Sequence, residues 1–499
     1  CQRGLSTLSC ARIQHGCRVD YSGEFLTPDS LLTSTDEKLT QKIALLVVCA
    51  GSMMSPLTLS SVNIAMPAMA AELQADARLV SWLPTIFLVS NVALILPFGK
   101  LADNIGRKRI YMIGLLVTAI TSLGAAMAAS IEGILFFRFI QGGASAMTLG
   151  TGVAIISSLY PANKRGMAIG INSACIYIGL TIAPALGGII TEIWGWRSVF
   201  LMPAPIAVLL VALIAVFVKG EWRADSRVPF DWQGALIFAA GTTLLVISLT
   251  GLPHFNYALL LLVSLGLIWL FVWHQSNSDQ PLIRWQMFTQ NRLFLFSLAS
   301  ASLMYASLYP LTFLLSLYLQ YIRDLSPSDT GQVILMQGIA MALLAPFSGR
   351  LSDRIQPRNI ATTGCIVVTL GFLMLAQLDM HTTQLYIGGS LFLIGIGMGL
   401  FTSPNNNAVV SAVDARDLGV ATATMNLARV MGNLIGMGVV NLLMNLNLGD
   451  KQIIPIHYAL LESTISTAII ISLAYVLIGG FLSAMRGAPM RRSSKANSG

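Results

Sequence analysis

This chain has little charge. Only 10% of its 499 residues are Asp, Glu, Lys or Arg, against about 25% in an average soluble domain. The acidic residues are the scarcer, 22 against 30 basic ones, and none lies near the middle of a long apolar run. So little charge cannot cover a water-soluble protein of this length, and 55% hydrophobic residues exclude a disordered or collagen-like chain. The six cysteines show no metal-ligand spacing. The single Gly-Lys pair, Gly99-Lys100, is followed by Leu101 rather than Ser or Thr, so there is no ATP-binding loop. Gly395-x-Gly397-x-Gly399 lies inside an apolar run and cannot form a dinucleotide loop. A membrane β-barrel is excluded as well, because its strands alternate in polarity and carry no long apolar stretch.

What the chain does have is apolar runs of spanning length, about 20 residues each, and a mean hydropathy of +0.73. They predict an all-α polytopic membrane protein with helices near 43–69, 80–98, 110–129, 132–159, 166–190, 198–218, 233–252, 257–275, 294–318, 330–348, 359–378, 384–402, 418–444 and 458–484. The pair 233–275 is split only by Gly251, Leu252, Pro253, His254, Phe255 and Asn256, which read as a tight turn. With fourteen spans, 24 of the 30 Lys and Arg fall in segments on one side, 4 on the other, and Arg138 and Arg429 within helices. That bias places the basic side, and both chain ends, in the cytoplasm. No cysteine then falls in an outer loop, so no disulfide framework is expected. Residues 1–41 lack a helical period and read as a cytoplasmic tail or an over-long translated start; having no apolar core, they are no cleavable signal peptide. A second tail covers 486–499.

The sequence repeats internally. Gly-Lys-Leu-Ala-Asp-Asn-Ile-Gly-Arg-Lys-Arg at 99–109 is echoed by Gly-Arg-Leu-Ser-Asp-Arg-Ile-Gln-Pro-Arg-Asn at 349–359, each following the second span of its half. Two six-helix bundles, 42–218 and 293–485, with two inserted helices in 219–292, account for this spacing. Facing bundles enclose a midplane cleft and suit alternating access.

Here the chain resembles a known family. Gly99-x-Leu101-Ala102-Asp103-x-x-Gly106-Arg107-Lys108 is similar to the loop signature of the major facilitator superfamily. Arg138-x-x-Gln141-Gly142-Gly143 resembles its second motif, and Gly179-x-x-x-Ala183-Pro184-x-x-Gly187-Gly188 the motif of its antiporters, with Ala183 where Gly is usual. Ser61-Val62-Asn63-Ile64-Ala65-Met66-Pro67 and Arg429-x-x-Gly432-x-x-x-Gly436 resemble the fourteen-span drug:proton antiporters of the EmrB/QacA type. The resemblance implies a secondary active transporter of the inner or plasma membrane. It implies export of hydrophobic or amphipathic small molecules, with the proton gradient as energy source and no cofactor or nucleic-acid partner. In a Gram-negative host it implies a membrane-fusion and outer-membrane partner.

Each motif has a physical reading. The Asp103 carboxylate, held at the membrane face, suits the positive end of a helix in the other bundle. The family implies the start of the thirteenth span, near Leu418. Arg107 bridges back to Asp103, Lys108 adds charge, and Gly99 and Gly106 permit a tight turn. This latch would hold the outward-facing state. Asp353, in the second copy, reads as a turn residue, since Gln356 and Pro357 replace the later Gly-Arg pair. An Arg near the membrane centre costs about 2.5–3.5 kcal/mol to insert, so Arg138 is expected to face the cleft or a partner, and the family implies proton coupling. Pro184 is expected to break its helix, and Gly179, Gly187 and Gly188 to let a neighbour pack closely.

Cleft candidates are the polar and aromatic residues at mid-depth: Asn63, Asn91, Gln141, Asn172, Tyr177, Tyr305, Gln337, Asn426, Arg429 and Asn433. Thr58 stands where relatives often carry an Asp, and the nearest carboxylates to any span centre, Glu132 and Glu462, lie near helix ends. That argues against a divalent-cation pump and for neutral, amphipathic or anionic substrates, with Glu132 or Glu462 taking the proton under the influence of Arg138.

Rival readings are a proton symporter importing an organic anion, a non-transporting sensor, and a membrane acyltransferase based on the His274/Asp279 spacing. No companion motif supports the last. If Glu132 or Glu462 carries the proton, replacing both with Gln abolishes proton-driven efflux in vesicles; unchanged efflux removes both from the mechanism.

Overall fold

The structure, a computed structural model, describes residues 28–160, 162–218, 221, 230–252, 254–278, 282, 285–352, 354–379, 381–413 and 418–487. All secondary structure among the described residues is helical, and fourteen helices are long and apolar enough to cross a membrane. They are α1 (Pro28–Leu73), α2 (Ala77–Ile105), α3 (Arg107–Met127), α4 (Ile131–Leu159), α5 (Ala162–Trp194), α6 (Arg197–Phe217) and α7 (Trp232–Gly251). Then come α8 (Phe255–Asn277), α9 (Arg292–Ile322), α10 (Pro327–Ser352), α11 (Pro357–Leu375), α12 (Gln384–Ser411), α13 (Leu418–Asn447) and α14 (Pro455–Met485). The expected all-α class and the number of spans hold.

The ends of these helices follow from local chemistry. Side chains of Asp76, Ser130, Asp231 and Asn291 accept the backbone N–H three residues on, at 2.7, 3.2, 2.8 and 3.0 Å, each satisfying a donor the helix leaves free. Two boundaries differ from expectation. α1 begins at Pro28, inside the segment read as non-helical, since a helix can continue into water wherever no breaker stops it. Arg486, assigned to the C-terminal tail, is buried: its Nη1 donates to Asn405 at 2.9 Å and its Nη2 to the Pro357 carbonyl at 2.7 Å. Residues 1–27, Pro253 and Asp353 lie outside the described residues.

The helix pairings repeat with an offset of eight. In the first half α1 packs on α5, α4 on α2 and α3, and α3 on α6; in the second α9 packs on α13, α12 on α10 and α11, and α11 on α14. Across the halves, α2 meets α13 and α5 meets α10, each contact being the image of the other. α7 rests on both α2 and α13, and α8 leans on α7. Only 11% of the apolar window of α8 is buried, against 78% for α9, so α8 mostly faces lipid while α9 is a central element.

The two halves meet most closely at the end opposite the basic loops. A Cβ at Gly188 would lie 2.3 Å from the Pro327 carbonyl oxygen, and one at Gly331 2.4 Å from that of Pro184. The α5 and α10 backbones therefore touch directly, which only glycine permits. On the opposite flank Asn441 donates to Thr85 (3.1 Å), the Ala77 N–H to the Lys451 carbonyl (3.0 Å), and Arg78 pairs with Asp450 (3.0 Å). Between them Ser316 and Gln320 donate to the carbonyls of Asn63 and Ile64, at 2.7 and 3.0 Å. Toward the basic end the α5–α10 seam parts. Ala342 and Pro346, one and two turns beyond Gly338, are exposed, as are Ala174 and Gly170 on the Thr181 face of α5.

Gly331→Val should pry the seam open at its sealed end. A cysteine placed at Thr312, in a chain without its native cysteines, is then expected to react about tenfold faster with a membrane-impermeant thiol reagent from the non-basic side. Equal rates would show that the seam does not depend on this glycine.

Candidate functional site

Below the seal, between the halves, lies a cavity of about 1190 Å³ of empty space, its open mouth included. α1, α2, α4 and α5 line it from one half and α9, α10 and α13 from the other. Seven of the residues expected in a cleft line it: Asn91, Tyr177, Tyr305, Gln337, Asn426, Arg429 and Asn433. Leu59, Leu88, Leu180, Leu308, Ile334 and Met341 supply much of its apolar wall. No Asp or Glu is among the lining residues.

Three expected cleft residues lie elsewhere. Asn63 is fully buried at the seal, where its Oδ1 accepts from the Tyr309 hydroxyl at 3.3 Å. Asn172 is buried in α5 away from the cavity wall. Gln141 faces the interior of the first half, donating to Ser122 (2.9 Å) and accepting from Arg138 (2.8 Å). Mid-depth polarity could not tell these packing roles from a wall position. Conversely, Tyr309, Phe87 and Thr181 line the cavity without having been expected to. Tyr309 lies one turn after Tyr305 on the same helix face, so i, i+4 spacing was the available signal.

Arg138 has no exposure at all, so it does not snorkel to the headgroups. Its partners are neutral: the Gln141 carbonyl oxygen, the Leu83 carbonyl at 3.4 Å, and the Phe87 ring, whose centroid is 4.5 Å away. Phe87 lines the cavity and Arg138 does not. Glu132 is exposed in the first turn of α4, where the helix dipole favours a carboxylate, and Glu462 is half-buried in α14. Neither lines the cavity.

Arg429 does face the cavity. Its Nη2 donates to the Tyr177 hydroxyl at 3.2 Å, and its guanidinium lies over the Tyr177 and Tyr305 rings, 5.5 and 5.1 Å from their centroids. Asn406 also donates to the Tyr177 oxygen, at 3.3 Å.

The glycine motif of α5 does two jobs. A Cβ at Gly179 would meet the Met53 carbonyl at 2.9 Å and one at Gly187 the Ser61 Cα at 2.7 Å, so these residues close α1 on α5. Pro184 and Gly188 face α10 in the seal. The buried Ala183 offers its carbonyl to Ser61, at 2.8 Å. α5 runs unbroken through Pro184, contrary to expectation: packed neighbours hold a membrane helix across the missing donor.

The 99–109 segment is helix nearly throughout, and Gly106 alone, at φ +132, forms the turn between α2 and α3. Gly99 is helical, so its expected part in the turn falls away. Arg107 holds Asp103 (2.8 Å) and donates to the Ala154 carbonyl and Ser158 hydroxyl, at 3.3 and 2.5 Å. The sequence reading missed Glu221. Its carboxylate fills the space beside Gly106, accepts the Lys108 N–H at 2.9 Å and lies 3.6 Å from Arg109. Lys108 Nζ donates to the Val218 carbonyl at 2.5 Å. These partners belong to the first half, except Glu221, which lies in the segment that follows it.

His274 pairs with Asp231 at 2.9 Å, and Asp279 lies outside the described residues. Burial pushes the Asp231 carboxyl up, but bonds from the Gly234 N–H, His274 and Gln275 outweigh it and hold the group below its ordinary range.

The Major Facilitator Superfamily profile matches residues 48–437. The chain belongs to this superfamily. It is an integral membrane transporter and not an enzyme. It is 30% identical over 400 residues to the riboflavin transporter RibZ of Clostridioides difficile, covering 79% of this chain and 86% of that one. It is 29% identical over 409 residues to the multidrug resistance protein Stp of Mycobacterium tuberculosis, covering 80% and 75%. Among solved structures it superposes on a bacterial homologue of the human lysosomal transporter Spinster, inward-facing and unoccupied. That match has a TM-score of 0.65 at 14% identity, over 90% of this chain and 97% of the other.

Gly106→Ala should destabilise the protein by about 1–3 kcal/mol, since a side chain at this positive φ is strained. The readout is a lower melting temperature in detergent. Adding Glu221→Ala removes the collision but should not restore stability, because the backbone strain remains.

Proposed function

We propose that this transporter is a proton-driven exporter of hydrophobic or amphipathic small molecules, of the fourteen-span drug antiporter type. The observation that carries this reading is the central cavity: roomy, mostly apolar, dotted with amides and phenols, sealed at one end and parting at the other. Such a wall accepts varied apolar bodies and fixes few polar groups. Relatives that are multidrug resistance proteins support export.

With the basic loops in the cytoplasm of an inner or plasma membrane, the structure is the inward-facing state. In the outward-facing state the α2–α3 segment closes on the second half, and Asp103 meets the N-terminus of α13. Arg107 and Glu221 hold that segment ready on the first half's side. Arg138 is the coupling residue: a buried cation on neutral partners whose charge sets the affinity of a nearby site for protons.

A second reading, proton symport of an organic anion, draws support from Arg429 in the cavity wall. Flux in proteoliposomes under an imposed pH gradient separates the two. Riboflavin, lincomycin and methyl viologen make a first panel, since relatives carry or resist them. Export coupled to inward protons is expected. Uptake that runs with the protons favours the symporter, and no flux for any compound refutes both.

A further inference from the structure

The cavity contains a cation without a counterion. Arg78, Arg107, Arg109 and Arg197 each have a carboxylate partner. Arg429 has a phenol and two ring faces, its Nε has no hydrogen-bond partner, and no carboxylate lines the cavity around it. A guanidinium in a membrane interior without an anion is expensive to hold. Stacking on Tyr177 and Tyr305 recovers part of that cost, since the ring faces are electron-rich, but rings do not neutralise charge. The Arg138 cation adds to the imbalance from behind the wall, its guanidinium 4.5 Å from the ring centroid of the cavity-lining Phe87.

Tyr177 sharpens the point. Its oxygen accepts from both Arg429 and Asn406, which occupies its lone pairs. Its own O–H is left to donate, to the neighbouring Tyr305 oxygen or to a ligand's acceptor in the cavity. Arg429 and Tyr177 together therefore present donors beside an apolar wall that includes Ile176, Leu180 and Val430.

We propose that this site takes amphipathic organic anions: an apolar body against the cavity wall and one acidic group on Arg429 and Tyr177. The inference deepens the transport reading and rests on it only in taking the cavity as the place where substrate binds. The ligand's negative charge supplies the missing partner of Arg429. A cation in the same pocket meets the Arg429 guanidinium, with the Arg138 charge behind the Phe87 ring, and no carboxylate in the lining. The direction of transport does not enter.

The test is equilibrium binding to the purified full-length protein in lipid nanodiscs, using three compounds with one ring system: 2-naphthalenesulfonate, 2-naphthalenesulfonamide and 2-naphthyltrimethylammonium. Empty nanodiscs correct for partition into lipid. The sulfonate is expected to bind about tenfold or more tightly than either of the others, the gain usual for a charge-assisted hydrogen bond. Arg429→Gln should erase that preference, and Arg429→Lys should keep its sign while weakening it. Equal binding of the three by the unaltered protein overturns the proposal, as does preference for the cation or no binding of any. These outcomes need no variant, so a misfolded Arg429→Gln protein leaves the test intact. Anion-selective binding without flux in proteoliposomes would refute the transport reading and keep this one. Flux of drugs without any anion preference would do the reverse.

Discussion

Everything in this molecule is arranged around one close contact, the stretch where α5 and α10 lie backbone against backbone. Pro184 and Gly188 face Pro327 and Gly331 there, and no side chain stands between the chains. Such an approach is available only where glycine removes the Cβ from the facing position, and in lipid it is packing of this kind, not hydrophobic exclusion, that holds helices together. Because the contact is confined to one end, the cavity below it has a roof. Because Gly170, Ala174, Ala342 and Pro346 are uncovered at the other end, the same cavity has a mouth.

A second constraint is the handling of charge. Membrane-buried cations normally sit beside anions, yet neither Arg138 nor Arg429 does. Arg138 is held by amide and carbonyl oxygens and an aromatic face, Arg429 by phenols. Both arrangements hold a full positive charge at mid-membrane on neutral groups. The acidic residues sit at helix ends: Glu132 and Asp231 lie at N-termini, where the dipole favours a carboxylate, and Asp103, in the last turn of α2, is held by Arg107.

The architecture was largely legible in the sequence, because bilayer thickness fixes span length and the distribution of Lys and Arg polices the count. The two copies of the Gly-x-Leu-x-Asp pattern announced the repeat that the helix pairings display. The cavity was legible in part. Tyr177, Tyr305 and Arg429 could be picked out as polar or aromatic groups at the right depth, but depth carries no information about the side of a helix. Asn63 and Gln141 share that depth and point into packing. Glu221 was invisible for another reason: it lies far along the chain from the turn it clasps, and only the fold brings it to Gly106. Pro184 misled because a rule from water, that proline ends a helix, weakens where neighbouring helices hold the backbone in place.

The inserted pair α7–α8 carries a consequence of its own. α7 bridges α2 and α13, with Asn445 donating to the Thr250 carbonyl at 2.8 Å, and α8 screens it from lipid. One flank of the transporter is thus walled off. The other flank, where α5 and α10 part, has no such screen. The two flanks are therefore unlike, and the asymmetry is built by two helices that take no part in lining the chamber itself.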